Sequence, residues 1–126
     1  MLVDFIRKTD IAFRLGSQIL KSDEEVNKIK NKYNFYCLKD IYFHKYLVFN
    51  SLIVKPDLVI KTDHQGSSCN FVVVRHIVKY LDNVYIAIQK LETICFDEFM
   101  FAFEVKLLDI HEILLFEDIC HCLEHT

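Results

Sequence analysis

The chain has 126 residues, 15 Lys and Arg against 18 Asp and Glu, a formal net charge of −3 and no long block of like charges, which disfavours long-range attraction to nucleic acid or an anionic membrane. Apolar residues make up 52% and charged residues 26%, which excludes a disordered tail and supplies one packed core but, at this length, not two. Five cysteines, an odd number, with Cys37, Cys69 and Cys95 inside apolar segments, read as buried thiols of a reduced compartment, so the expected location is intracellular, cytoplasm or nucleus.

The first eight residues carry Asp4, Arg7 and Lys8 and no long apolar run, so no secretory signal is expected. Between Leu2 and Leu20, helical spacing of Leu2, Phe5 and Ile6 gives way to the break Gly16-Ser17, which predicts a short helix or irregular lead-in. Ser22-Asp-Glu-Glu25 has the form of a capping box, in which the Ser22 hydroxyl accepts from the Glu25 backbone, and a short surface helix to about Lys32 follows. Residues 1–32 are therefore expected as a helical lead-in and 33–126 as the β-rich part of one compact domain.

From Tyr33 the residues alternate as strand formers do, through Cys37 and again from Ile41 to Phe49. Lys55-Pro-Asp57 interrupts the ladder, because proline cannot donate to it, and Leu58 to Thr62 reads as another short strand. Asp63 to Ser68 is the clearest predicted loop. Cys69 to Tyr80 and Val84 to Leu91 form a predicted hairpin about Leu81-Asp-Asn83, with Tyr85, Ala87 and Gln89 opposed to Val84, Ile86 and Ile88. Phe99, Phe101, Phe103 and Val105 share one face of a further strand, and such rings are more often core than binding surface. Ile110, Ile113 and Leu114 at helical spacing, with Asp109 as cap, predict a helical turn, which residues 117–126 either extend or follow with a strand. The fold class is thus mainly β (α+β): a small antiparallel barrel or twisted sheet with a short N-terminal helix and a short C-terminal helical turn. No run of eighteen apolar residues exists, so no membrane partner is expected.

No catalytic motif emerges, and no enzyme is expected. Only Gly16 and Gly66 are present, too few for a phosphate loop, and the paired carboxylates Glu24-Glu25, Asp97-Glu98 and Glu117-Asp118 read as caps and turns. His111-Glu112 begins like a zinc-protease helix, but Leu115 stands where the second histidine belongs. The densest set of soft ligands is Cys120, Cys122 and His125, with His111 and Glu112 nearby; its spacing matches no common zinc motif, so no cofactor is expected. Basic residues interleave with rings best at Lys39, Tyr42, Lys45 and Tyr46, where unpaired bases can stack.

The segments Cys37-Leu-Lys-Asp-Ile-Tyr-Phe43, Phe71-Val-Val-Val-Arg-His-Ile-Val78, Val84-Tyr-Ile-Ala-Ile88, Phe96-Asp-Glu98, Ala102-Phe-Glu-Val105 and Asp109-Ile-His-Glu-Ile-Leu114 are spaced apolar positions. In that arrangement, over about Asn34 to Ile119, the chain resembles the C-terminal domain of uncharacterised, mobile-element-derived animal proteins. That resemblance implies a small β-barrel appended to a longer protein and carries over no catalytic residue. The leading expectation is a non-enzymatic module that binds a protein partner or forms a homodimer, with an exposed strand edge as its means. The alternative is a nucleic-acid-binding accessory domain of a mobile-element-derived protein.

Overall fold

The computed structural model describes residues 13–36, 40–65 and 68–123. Strands β1 (Phe13–Leu15) and β2 (Gln18–Ile19) precede helix α1 (Asp23–Lys32). Strands β3 (Tyr42–His44), β4 (Leu47–Phe49), β5 (Leu52–Val54), β6 (Val59–Gln65), β7 (Ser68–Tyr80), β8 (Asn83–Asp97) and β9 (Ala102–Leu115) follow, and helix α2 (Phe116–Leu123) ends the described chain.

The chain is mainly β, arranged as two antiparallel sheets and not as a closed barrel. One sheet runs β1-β4-β5; the other runs β2-β3-β7-β8-β9, with β6 also on β7. A bent ribbon joins them: β1 and β2 are successive parts of one extended segment, and β3 and β4 of its antiparallel neighbour. At the bend the Gly16 amide donates to the Tyr46 carbonyl at 2.8 Å and the Lys45 amide to the Ser17 carbonyl at 2.9 Å. The Tyr46 ring lies where a Cβ on residue 16 would stand, so only glycine fits there. Gly16-Ser17, read from sequence as a helix break, is thus the corner at which two strands change sheets.

Alternation along β7 and β8 sorts side chains to two faces. Val72, Val74 and Ile77 of β7 and Val84, Ile86 and Ile88 of β8 meet Leu47, Phe49 and Val54 of the small sheet and Phe116, Ile119 and Leu123 of α2. Phe116 is at the centre, edge-on to Phe13 at 5.3 Å and to Phe49 at 5.4 Å. On the opposite face Val78, Ile41 and Phe43 pack beneath Val26 and Ile29 of α1.

Helix α1 begins as the sequence predicts: the Glu25 amide donates to the Ser22 hydroxyl at 3.2 Å, and that hydroxyl donates to the Glu25 carboxylate at 3.3 Å. Its end corrects the strand predicted from Tyr33. Tyr33 is the C-cap and Asn34 has φ 52°, the left-handed conformation asparagine tolerates best after glycine. The Phe35 amide then reaches back to the Lys30 carbonyl at 2.8 Å and the Asn34 amide to that of Asn31 at 3.3 Å, closing a Schellman turn.

Three further expectations are corrected. Asp63 to Gln65 belong to β6, paired His64↔Cys69 and Gln65↔Ser68, so the predicted loop is mostly ladder. Asp109 to Leu115 are not a helical turn but the second half of β9, paired with β8 from Gln89↔His111 to Tyr85↔Leu115; the helix starts at Phe116. Ladder bonds to an existing sheet decide between two periodicities that a short apolar run fits equally well. The lead-in contributes strands at 13–15 and 18–19, while Leu2, Phe5 and Ile6 fall outside the described residues.

Candidate functional site

Two parts of the surface concentrate chemistry. The first is a polar knot on the α1 face of the large sheet. Strand β7 bulges between Val74 and His76, and β9 slips register between the pairs Gln89↔His111 and Leu91↔Leu107. At these irregularities the Arg75 guanidinium donates to the Gln89 side-chain oxygen at 3.0 and 2.9 Å and to Asp57 at 2.9 Å, and the Gln89 amide donates to the Leu108 carbonyl at 2.8 Å. One charged fork thereby ties β7, β8, β9 and the turn before β6, satisfying backbone that the bulges leave unpaired.

Beside it the buried Tyr33 ring stands edge-on to His76 at 5.9 Å and to His111 at 5.5 Å. Burial, reinforced by the positive charges of Lys21, Lys32 and Arg75, pushes His76 down to about 4, so it is neutral at physiological pH. His111 is also lowered, first by burial and then by Lys32, although Asp109 opposes this. Among the described residues the buried Tyr33 hydroxyl has no hydrogen-bond partner, and its pKa is raised by desolvation. His76 and His111 thus both pack edge-on against the Tyr33 ring, and burial is the main cause of the lowered pKa of each.

The second part is an arm. Strand β7 stops pairing with β8 at Phe71↔Leu91, yet β8 runs to Asp97 and β9 begins at Ala102. The two strands continue alone, residues 92–97 of β8 beside 102–106 of β9, for roughly 15–20 Å beyond the body at about 3.3 Å per residue. They are joined by a turn over residues 98–101, which Asp97 organises by accepting from the amides of Phe99 at 2.9 Å and Met100 at 3.3 Å. Phe99 is 97% exposed, Phe101 83% and Met100 74%. Phe101 also has φ 50°, a strained conformation for a bulky side chain.

The arm is two-faced. Cross-strand pairs Leu91↔Leu107, Thr93↔Val105 and Phe96↔Phe103 line one side, where the Phe103 ring lies 5.1 Å from Phe96 and 5.4 Å from Phe71. Glu92↔Lys106 and Cys95↔Glu104 line the other. At its root this side is partly covered, Leu91 being buried and Phe71 lying against Phe103, but Phe96, Val105 and Leu107 stay exposed, and among the described residues β9 is the edge of its sheet. The sequence reading that placed Phe99, Phe101, Phe103 and Cys95 in the core is therefore corrected: alternation marks a face as apolar, but what lies over that face decides burial. The one signal of exposure was Asp97-Glu98 set directly before the aromatic cluster.

The residues predicted for other sites are dispersed. Tyr42 and Lys45 are exposed, but the Tyr46 ring is engaged over Gly16; Lys39 lies outside the described residues. Cys120 is half-buried on α2 against the main core, its thiol donating to the Glu117 carbonyl at 3.4 Å, whereas His111 faces α1 across the sheet. His125 and the Cys122 side chain are outside what is described, and the described residues contain no group of three or more His, Cys, Asp or Glu arranged to hold a metal. The exposed Cys95 thiol donates to Glu104 at 3.3 Å; that bond, with the nearby charges of Glu104 and Asp97, raises its pKa, the opposite of what a nucleophile needs. No described helix is long and apolar enough to cross a membrane.

Compared with protein-family models, curated proteins and solved structures, the chain matches none.

Proposed function

We infer that the chain is a non-enzymatic protein-interaction module whose docking element is the β8–β9 arm. The observation that carries this reading is the solvent-facing cluster Phe99-Met100-Phe101 at its tip, continuous with the apolar side formed by Phe96, Phe103, Val105 and Leu107. Exposed apolar surface this extended usually marks a contact, and a strained ring held by an Asx turn is a shape selected for something other than stability. An origin in a mobile element is proposed with it, on the spacing of apolar positions alone.

A photoreactive benzoyl-phenylalanine in place of Phe99 is expected to form protein adducts, and the same group in place of Lys28, exposed on α1, is not. Equal labelling from both positions would remove the arm from the proposal. The nucleic-acid alternative retains exposed Tyr42 and Lys45; single-strand binding at low salt that collapses at high salt, and that Lys45→Glu abolishes, would favour it.

A further inference from the structure

We propose that the arm's occupant is a second copy of this chain, joined by antiparallel pairing of the two β9 edges about a two-fold axis through Val105. The proposal rests on the docking reading above and names the partner.

The run Phe103-Glu-Val-Lys-Leu107 is symmetric in character about its centre: apolar, acidic, apolar, basic, apolar. Antiparallel pairing about residue 105 places Val105 against its own copy, Phe103 against Leu107 of the partner subunit, and Glu104 against Lys106 of the partner subunit. Every apolar residue then meets an apolar one and every charge its opposite, twice over by symmetry. Moving the axis by one residue, to 104 or 106, sets Glu104 or Lys106 against itself.

Geometry supports the same register. Residues 102–107 of β9 form the free edge among the described residues, bounded by the turn at 98–101 and by the irregularity between Leu107 and His111; the register shift within this stretch, between Thr93 and Cys95, puts its extra residue, Ile94, on β8 and not on β9. Within it Glu104 and Lys106 share the polar side of the arm, Phe103, Val105 and Leu107 share the other, and all five are exposed. A perpendicular two-fold keeps like sides together, so the pair makes a four-stranded sheet. One side becomes a doubled apolar surface; on the other, Glu92, Lys106 and the partner subunit's Glu104 follow in a row of alternating charge. An edge otherwise open to indiscriminate strand addition becomes selective, since β9 finds this complementarity in its own sequence.

The test uses charge exchange in the full chain, read by sedimentation equilibrium. Wild type is expected to dimerise. Glu104→Lys and Lys106→Glu each place two like-charged pairs in the joint and are expected to weaken dimerisation at least about tenfold. Mixed in equal amounts, these two variants pair Lys with Glu at all four positions and are expected to recover wild-type affinity, which also shows that both fold. Val105→Cys, made with Cys95→Ser, is expected to form a disulfide-linked dimer on oxidation. A wild-type monomer at every concentration, or single variants that dimerise as wild type does, would overturn the proposal. If the chain stays monomeric while the benzophenone at position 99 captures a different protein, self-pairing fails and the docking arm stands; if it captures nothing, both fall.

Discussion

Strand residues 84–91 and their continuation 92–107 use the same alphabet of Ile, Val, Leu and Phe, yet they have opposite fates. In the body, Val84, Ile86 and Ile88 are sealed by α2 and the small sheet on one side, while α1 covers the neighbouring part of the other. In the arm, Phe103, Val105 and Leu107 belong to an equally apolar face and stay in water, because the third strand and both helices have ended. The difference teaches that hydrophobicity in this chain codes for two kinds of burial, one completed within the fold and one left for association.

The sharpest way to break that comparison is truncation at matched positions. Phe116→Ala, at the centre of the core, is expected to lower unfolding free energy by about 3–5 kcal/mol in urea titration, whereas Phe99→Ala changes it by less than about 0.5 kcal/mol for the isolated chain. Equal losses would mean that the arm folds back onto the body.

A second contrast is pH. His76 is neutral in the fold with its pKa lowered to about 4, while the unfolded chain protonates it near 6.5, so the unfolded state binds more protons between those values. Stability should therefore be full above about pH 6.5 and decline as pH falls toward 4, by on the order of 1–2 kcal/mol after discounting for its partial exposure. His76→Gln should flatten that part of the profile in denaturation curves taken across the range; an unchanged slope would show that the knot near Tyr33 is open to water.

Smaller effects refine the picture. Ser22→Ala removes the acceptor for the Glu25 amide and should destabilise α1 by about 1 kcal/mol, seen as lost protection of the Val26 amide in hydrogen exchange. Phe101→Gly relieves the left-handed backbone at the tip and is expected to be neutral or stabilising by up to about 1 kcal/mol, while weakening association; a destabilised monomer would show the ring packs inside the fold. Tyr33→Phe, which deletes a buried hydroxyl with no hydrogen-bond partner among the described residues, should change stability by no more than about 1 kcal/mol in either direction.

Local chemistry made much of the body legible. The Ser22 to Glu25 cap, the proline break at Lys55-Pro-Asp57, the hairpin about Leu81 and the alternation of Val84, Ile86 and Ile88 against Tyr85, Ala87 and Gln89 each depend on a few adjacent residues. The candidate site was legible only as composition. Phe99, Phe101 and Phe103 read as core, because a period-two pattern reports a shared face without reporting whether anything is stacked on it. The charge symmetry of residues 103–107 was present in the sequence but acquires meaning only when β9 is known to be a sheet edge.

The sequence by itself determined where helix α1 starts, which residues alternate and that strands dominate, since capping, proline and pleat are short-range effects. The tertiary structure alone decided that 109–115 is strand and not helix, that the sheets stay open, and that one hairpin outruns its neighbours. Those outcomes depend on which backbone groups find partners far along the chain and on which apolar faces find cover, and neither is written in any local window.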